Sequence, residues 1–91
     1  MATPAQVTVN TSETTIYAGG QGRCLFVSNT GATVMTISVN GDTTVTATNG
    51  IPISPGSTYE YPAAYYGTNQ LPVIKGIATG SATTAGVQVI Q

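Results

Sequence analysis

The chain is punctuated into short blocks, and that rhythm decides what it can fold into. Runs rich in Val, Ile, Thr and Tyr are broken every few residues by Gly, Asn or Pro. No segment carries apolar residues at spacings of three and four over the length of a helix. β-branched and aromatic side chains suit a pleated, half-buried surface, so each block reads as a strand and each break as a turn. Gln6-Val7-Thr8-Val9-Asn10 alternates and places Val7 and Val9 on one face. Thr14 to Ala18 reads as a second strand, stopped by Gly19-Gly20. From Thr33 to Val39 the residues Met35, Ile37 and Val39 share a face. Asn40-Gly41 marks a hairpin turn that wants φ > 0 at both positions, and Thr43 to Ala47 reads as its returning strand. Asn49-Gly50 then leads into Ile51-Pro52-Ile53, and Ser54-Pro55-Gly56 makes another turn. Ser57 to Tyr61 sets Tyr59 and Tyr61 against Glu60, Pro62 to Leu71 is irregular, and Val73 to Ala78 and Gly86 to Ile90 close the chain.

This pattern predicts an all-β fold, a single small antiparallel β-sandwich or barrel of about seven to eight short strands. Residues 1–6 read as a flexible N-terminal arm and residues 7–91 as one domain. Arg23-Cys24-Leu25-Phe26-Val27-Ser28 stands apart because both of its faces are apolar. Such a strand is either covered on each side or meets a neighbouring molecule. Leu25, Phe26, Val27, Ile37, Val39 and Ile74 are expected in or near the core.

Charge is scarce, and its scarcity removes whole classes of chemistry. Only 5 % of the residues are charged, against about a quarter in an ordinary domain. Glu13, Asp42 and Glu60 are the acids, Arg23 and Lys75 the cations, Cys24 the one thiol, and His is absent. No set of zinc ligands can be assembled from these. Acid–base catalysis draws on His or a tuned carboxylate pair, and three scattered acids make a poor one. Two cations do not neutralise a run of phosphates. The expectation is a protein that is not an enzyme, holds no cofactor or metal and binds no nucleic acid. No run approaches the roughly 20 apolar residues of a spanning helix, so no membrane is expected. Met1 to Gln6 offers neither the basic start nor the apolar stretch of a signal peptide, which points to synthesis in the cytoplasm. A lone cysteine forms no internal disulfide. Thr, Ser, Asn and Gln fill the outward positions instead of charges, and such a surface packs closely against identical neighbours without repulsion.

Among single residues, Cys24 lacks a base to activate it and reads as a small buried hydrophobe. Asp42 reads as a turn residue bonding its own backbone rather than as a calcium ligand. Arg23 and Lys75 fall at or inside strands, where a charge discourages edge pairing or joins subunits through a salt bridge. Tyr65 and Tyr66, with Tyr59 and Tyr61 nearby, lie over the open end of the sandwich, anchor a protein interface or stack on sugar rings. Tyr65, Tyr66, Arg23 and Lys75 are thus the candidate interface residues. Gly19-Gly20-Gln21-Gly22 lacks the lysine and the strand-to-helix setting of a phosphate loop and reads as turns.

Arg23-Cys24-Leu25-Phe26-Val27-Ser28-Asn29-Thr30-Gly31 is a strand followed by Asn-x-Gly, and Ile51-Pro52-Ile53-Ser54-Pro55-Gly56-Ser57 with Tyr59 is a Pro-Gly corner. With the late strands Val73 to Ala78 and Val87-Gln88-Val89-Ile90, these span residues 23–90. In these elements the chain resembles the small capsid decoration, or cement, proteins of bacteriophages and related head-surface β domains. The motifs are loose, and tail, fibre and baseplate domains share them. The resemblance implies a structural virion protein, made in the host cytoplasm, that binds the major capsid protein on the exterior of an assembled capsid and stabilises it. It also implies self-association, commonly as a homotrimer, and brings no catalytic residues. A glycan-binding or adhesive module, or another virion role such as a head–tail or tail component, is the alternative.

Overall fold

A computed structural model describes residues 5–39 and 50–91. Met1 to Pro4, the Asn40-Gly41 hairpin, Asp42, the Thr43–Ala47 strand and Asn49 lie outside the described residues. Among the described residues ten strands follow one another: β1 (Ala5–Val9), β2 (Thr14–Tyr17), β3 (Gly20–Gln21), β4 (Cys24–Asn29), β5 (Met35–Val39), β6 (Ile51–Ile53), β7 (Thr58–Tyr61), β8 (Gln70–Leu71), β9 (Ile74–Ala78) and β10 (Thr83–Ile90). The all-β, antiparallel architecture is the one the sequence pattern predicts. The strand count exceeds seven to eight because β3 and β8 are two-residue pieces that pair only with each other.

Two four-stranded sheets face each other, one in the order β1-β10-β4-β7 and one in the order β2-β9-β5-β6. The chain crosses between them repeatedly, so neighbours in sequence are seldom neighbours in a sheet. The inner faces follow the twofold period of a strand. From the first sheet come Val9, Leu25, Val27, Ala85, Val87 and Val89; from the second come Ile16, Met35, Ile37, Ile53, Ile74 and Ala78. Val7, Val39, Tyr59 and Tyr61 pack against this cluster half-buried, and Ala63 and Leu71 complete it. Gly76 leaves room within the layer, since a Cβ there would come within 2.5 Å of Ile16 Cδ1. The corner at Ser54-Pro55-Gly56-Ser57 forms as expected: Ser57 N donates to Ser54 O at 3.0 Å and Gly56 takes φ +85°, the requirement of a turn with Pro then Gly at its centre.

Three expectations are corrected. Ala5 and Gln6 are not part of an arm; they pair with Val87 and Gly86 as the first residues of β1, because the partner strand extends far enough to meet them. Phe26 is absent from the core cluster. β4 buries its alternate residues Leu25, Val27 and Asn29, and Phe26 stands on the other face with Cys24 and Ser28. Two apolar sets competed for the inside of this strand, and register decided between them: Leu25 and Val27 lie opposite Val89 and Val87 of β10. Cys24 shares the outer face and is half-buried rather than buried.

A buried polar knot ties the sheets at one end. Asn29 is fully buried, and its Nδ2 donates to Thr33 O and Ile53 O, both at 2.8 Å. Its Oδ1 accepts from Gly31 N at 3.2 Å and from Thr83 Oγ1 at 2.8 Å. The main chain joins in, with Asn29 N donating to Ser57 O and Gly56 N to Asn29 O. Every polar atom of the side chain is satisfied, the condition on which a buried amide is tolerated.

Candidate functional site

The first candidate surface is built on the turn that follows β7. Pro62 to Thr68 is held by its own backbone: Tyr65 N donates to Pro62 O, Tyr66 N and Thr68 N to Ala63 O, and Gly67 N to Ala64 O. Gly67 takes φ +79°. Ala63 is fully buried and plugs the turn into the sandwich, while Ala64 N donates to Arg23 O at 2.9 Å. The turn therefore presents its tyrosines from a fixed base. Tyr61 on the edge strand meets Tyr66 edge to face, with centroids 5.4 Å apart, and Tyr66 meets Tyr65 likewise at 5.6 Å. Exposure climbs along this series to 60 % at Tyr66 and 84 % at Tyr65. Tyr59 belongs to the same group: burial, and then the neighbouring Tyr66 and Tyr61, push its phenol above the ordinary value. Tyr59 and Tyr61 pack against the core cluster, while Tyr65 and Tyr66 are exposed.

The second surface is the outer face of the β1-β10-β4-β7 sheet. Register aligns Gln88, Phe26 and Glu60 across β10, β4 and β7, and puts Ile90 beside Cys24. Phe26 is half-buried and Ile90 is 42 % exposed. Ser28 and Thr58 share a hydroxyl–hydroxyl hydrogen bond of 2.8 Å farther along. Cys24 Sγ donates to Glu60 Oε2 at 3.5 Å. Burial, and then the hydrogen bond and charge of Glu60, push the thiol above its ordinary range, so it stays protonated at neutral pH. Among the described residues Glu60 is the sole charge on this face. The two apolar faces of Arg23–Ser28 were the sequence's signal for this surface.

The cations are distributed differently from the expectation. Arg23 is exposed and its main chain bonds both the tyrosine turn and Ile90, with Arg23 N donating to Ile90 O at 2.7 Å. It thus sits where the two candidate surfaces meet. Lys75 lies on the outer face of the opposite sheet, between Thr15 and Ser38, with Nζ 3.9 Å from Glu13 Oε1. Neither guards an edge. Lys75 belongs to β9 and Arg23 immediately precedes β4, and both are interior strands. The structure therefore groups Arg23, Tyr65 and Tyr66 and leaves Lys75 apart, in an ion pair within the chain. Among the described residues no three of His, Cys, Asp and Glu gather as metal ligands. No known protein family, characterised protein or solved structure matches the chain.

Proposed function

We propose that the protein is a structural, non-enzymatic β-sandwich that attaches to the exterior of an assembled phage capsid and stabilises it. The resemblance of residues 23–90 to capsid decoration proteins supports the reading. So does one structural observation, the half-buried Phe26 on the outer face of an interior strand of the β1-β10-β4-β7 sheet. A solvated sheet face ordinarily carries polar residues. Here an aromatic ring, Ile90 and the protonated Cys24 stand together on the face turned away from the core. Apolar and aromatic groups of this kind form the buried centre of protein interfaces. Contacts repeated over an oligomer raise avidity by about 10²–10⁴, so a modest patch holds a shell.

The test is co-sedimentation with empty capsids of the cognate major capsid protein. Binding should persist in 1 M sodium chloride, because salt screens exposed charges and leaves apolar burial intact. Phe26→Lys, placed on the outer face, should abolish it. Failure to sediment, or release by salt, would overturn the reading. The exposure of Tyr65 favours a second reading, a glycan-binding module in which a sugar stacks on that ring. Retention on immobilised glycans that is lost in Tyr65→Ala would select it.

A further inference from the structure

Among the described residues the sandwich has four edge strands, β1 and β7 in one sheet and β2 and β6 in the other. An edge offers unpaired N–H and C=O groups to any added strand, and folded proteins block it with proline, charge, bulges or brevity. Three of these edges are blocked. β6 has three residues with Pro52 at its centre. β2 slips register against β9 between Thr15 and Tyr17 and follows Glu13, which pairs with Lys75. β7 carries the charge of Glu60 within the strand. β1 is different. Ala5–Val9 has no charge, proline or bulge, and pairs residue for residue with β10 in unbroken register.

We infer that the outer edge of β1, unpaired among the described residues, is a self-pairing edge, on which a second copy of this chain adds its own β1 antiparallel about a twofold axis. The strand reads nearly alike in both directions. Pairing centred on Val7 sets Val7 against Val7 of the second copy, Ala5 against Val9, and Gln6 against Thr8. Apolar thus meets apolar on the inner face, and amide meets hydroxyl on the outer. The exposure fits: Val7 is half-buried and Ala5, Gln6 and Thr8 are exposed, so the new strand covers what β10 leaves open. Five residues suffice, and Pro4, which has no N–H, is not needed by the register. Charge favours a copy of itself as the occupant. The net charge is −1 and β1 is uncharged, so two identical edges meet without repulsion. The result is a continuous eight-stranded sheet, and the inference is independent of the capsid reading.

A five-residue edge falls short of the roughly 1,200–2,000 Å² of a stable interface, so the dimer forms on concentration. Light scattering on the full chain from about 1 μM to about 1 mM should show conversion of monomer to dimer. Gln6→Lys with Thr8→Lys sets like charges opposite each other twice and should weaken the dimer about tenfold. Gln6→Lys with Thr8→Glu should restore it, and Thr58→Lys on the β7 edge should leave it unchanged. Thermal melts establish that each variant folds. Hydrogen exchange of the unaltered protein gives a second readout, with β1 amides gaining protection on concentration. A monomer throughout, a trimer, or a dimer indifferent to the paired lysines but lost in Thr58→Lys would overturn the inference.

Discussion

The hydroxyl of Thr83 donates to the buried amide oxygen of Asn29 at 2.8 Å across 54 positions of sequence. The bond joins the end of β4 to the start of β10 inside the sandwich, while the nitrogen of the same amide reaches Ile53 of the opposite sheet. One side chain thereby fixes how the two sheets meet at this end.

Removing that side chain should be expensive. Asn29→Ala deprives Thr33 O, Ile53 O, Gly31 N and the Thr83 hydroxyl of a partner, and each buried group left unpaired costs about 1–3 kcal/mol. A total loss of about 3 kcal/mol or more is expected in urea unfolding. Thr83→Val leaves the amide oxygen with Gly31 N and should cost about 1 kcal/mol. Equal losses for the two variants would contradict the hierarchy.

Gly31 stands against this knot. A Cβ at residue 31 would overlap Thr83 Oγ1 and lie 2.7 Å from Thr84 N, and backbone cannot yield. At Gly76 the obstacle is Ile16 Cδ1, the end of a flexible side chain. Gly31→Ala should lower the melting temperature more than Gly76→Ala does, with overpacking costing about 1–3 kcal/mol or more at the stricter site.

Leu25 and Phe26 are adjacent, yet their truncation should differ sharply. Leu25 is fully buried, and Leu25→Ala should cost about 2–5 kcal/mol. Phe26→Ala removes a ring from the outer face and should cost less than about 1.5 kcal/mol. A larger loss from Phe26→Ala in calorimetry would return that ring to the core.

The raised Cys24 thiol sets a sign for pH dependence. Between its ordinary value of 9.0 and the higher value in the fold, the native state holds a proton that the unfolded chain releases. Stability should therefore fall as pH rises above 9.0, and Cys24→Ser should remove that part of the slope. Tyr59 adds a similar decline above its ordinary 10.0. Glu60→Gln removes a negative charge beside the thiol and should speed its alkylation by iodoacetamide at pH 8. An unchanged rate would mean that Glu60 does not govern the thiol.

Much of the fold was legible because strands of one buried face announce themselves by alternation, as Val7 and Val9 or Met35, Ile37 and Val39 do. The misassigned positions share a cause, which is dependence on distant partners. Cys24-Phe26 and Leu25-Val27 are equally apolar sets, and only pairing with β10 selects the inner one. Lys75 and Arg23 look like edge charges until the strand order shows their strands inside the sheets. Asn29 looks like the start of a turn, since nothing local hints at Thr83 or Ile53. Of the candidate site, the tyrosines were legible from their clustering. The Cys24–Glu60 contact, 36 positions apart, was not.

The antiparallel pairing of β10 with both β1 and β4 also dictates when this molecule can fold. β1 and β4 precede β10 by more than fifty residues and do not pair with each other; β10 must enter between them, bringing Val87 opposite Ala5 and Val27. Until residues 83–90 are in place, half of the sandwich has no central member, and β1 has no pairing strand among the described residues. Closure over such long stretches of chain is slow, with folding in about milliseconds to seconds for β-sandwiches of this kind. On refolding, protection of β1 and β4 amides should therefore appear together with that of β10, in a single step.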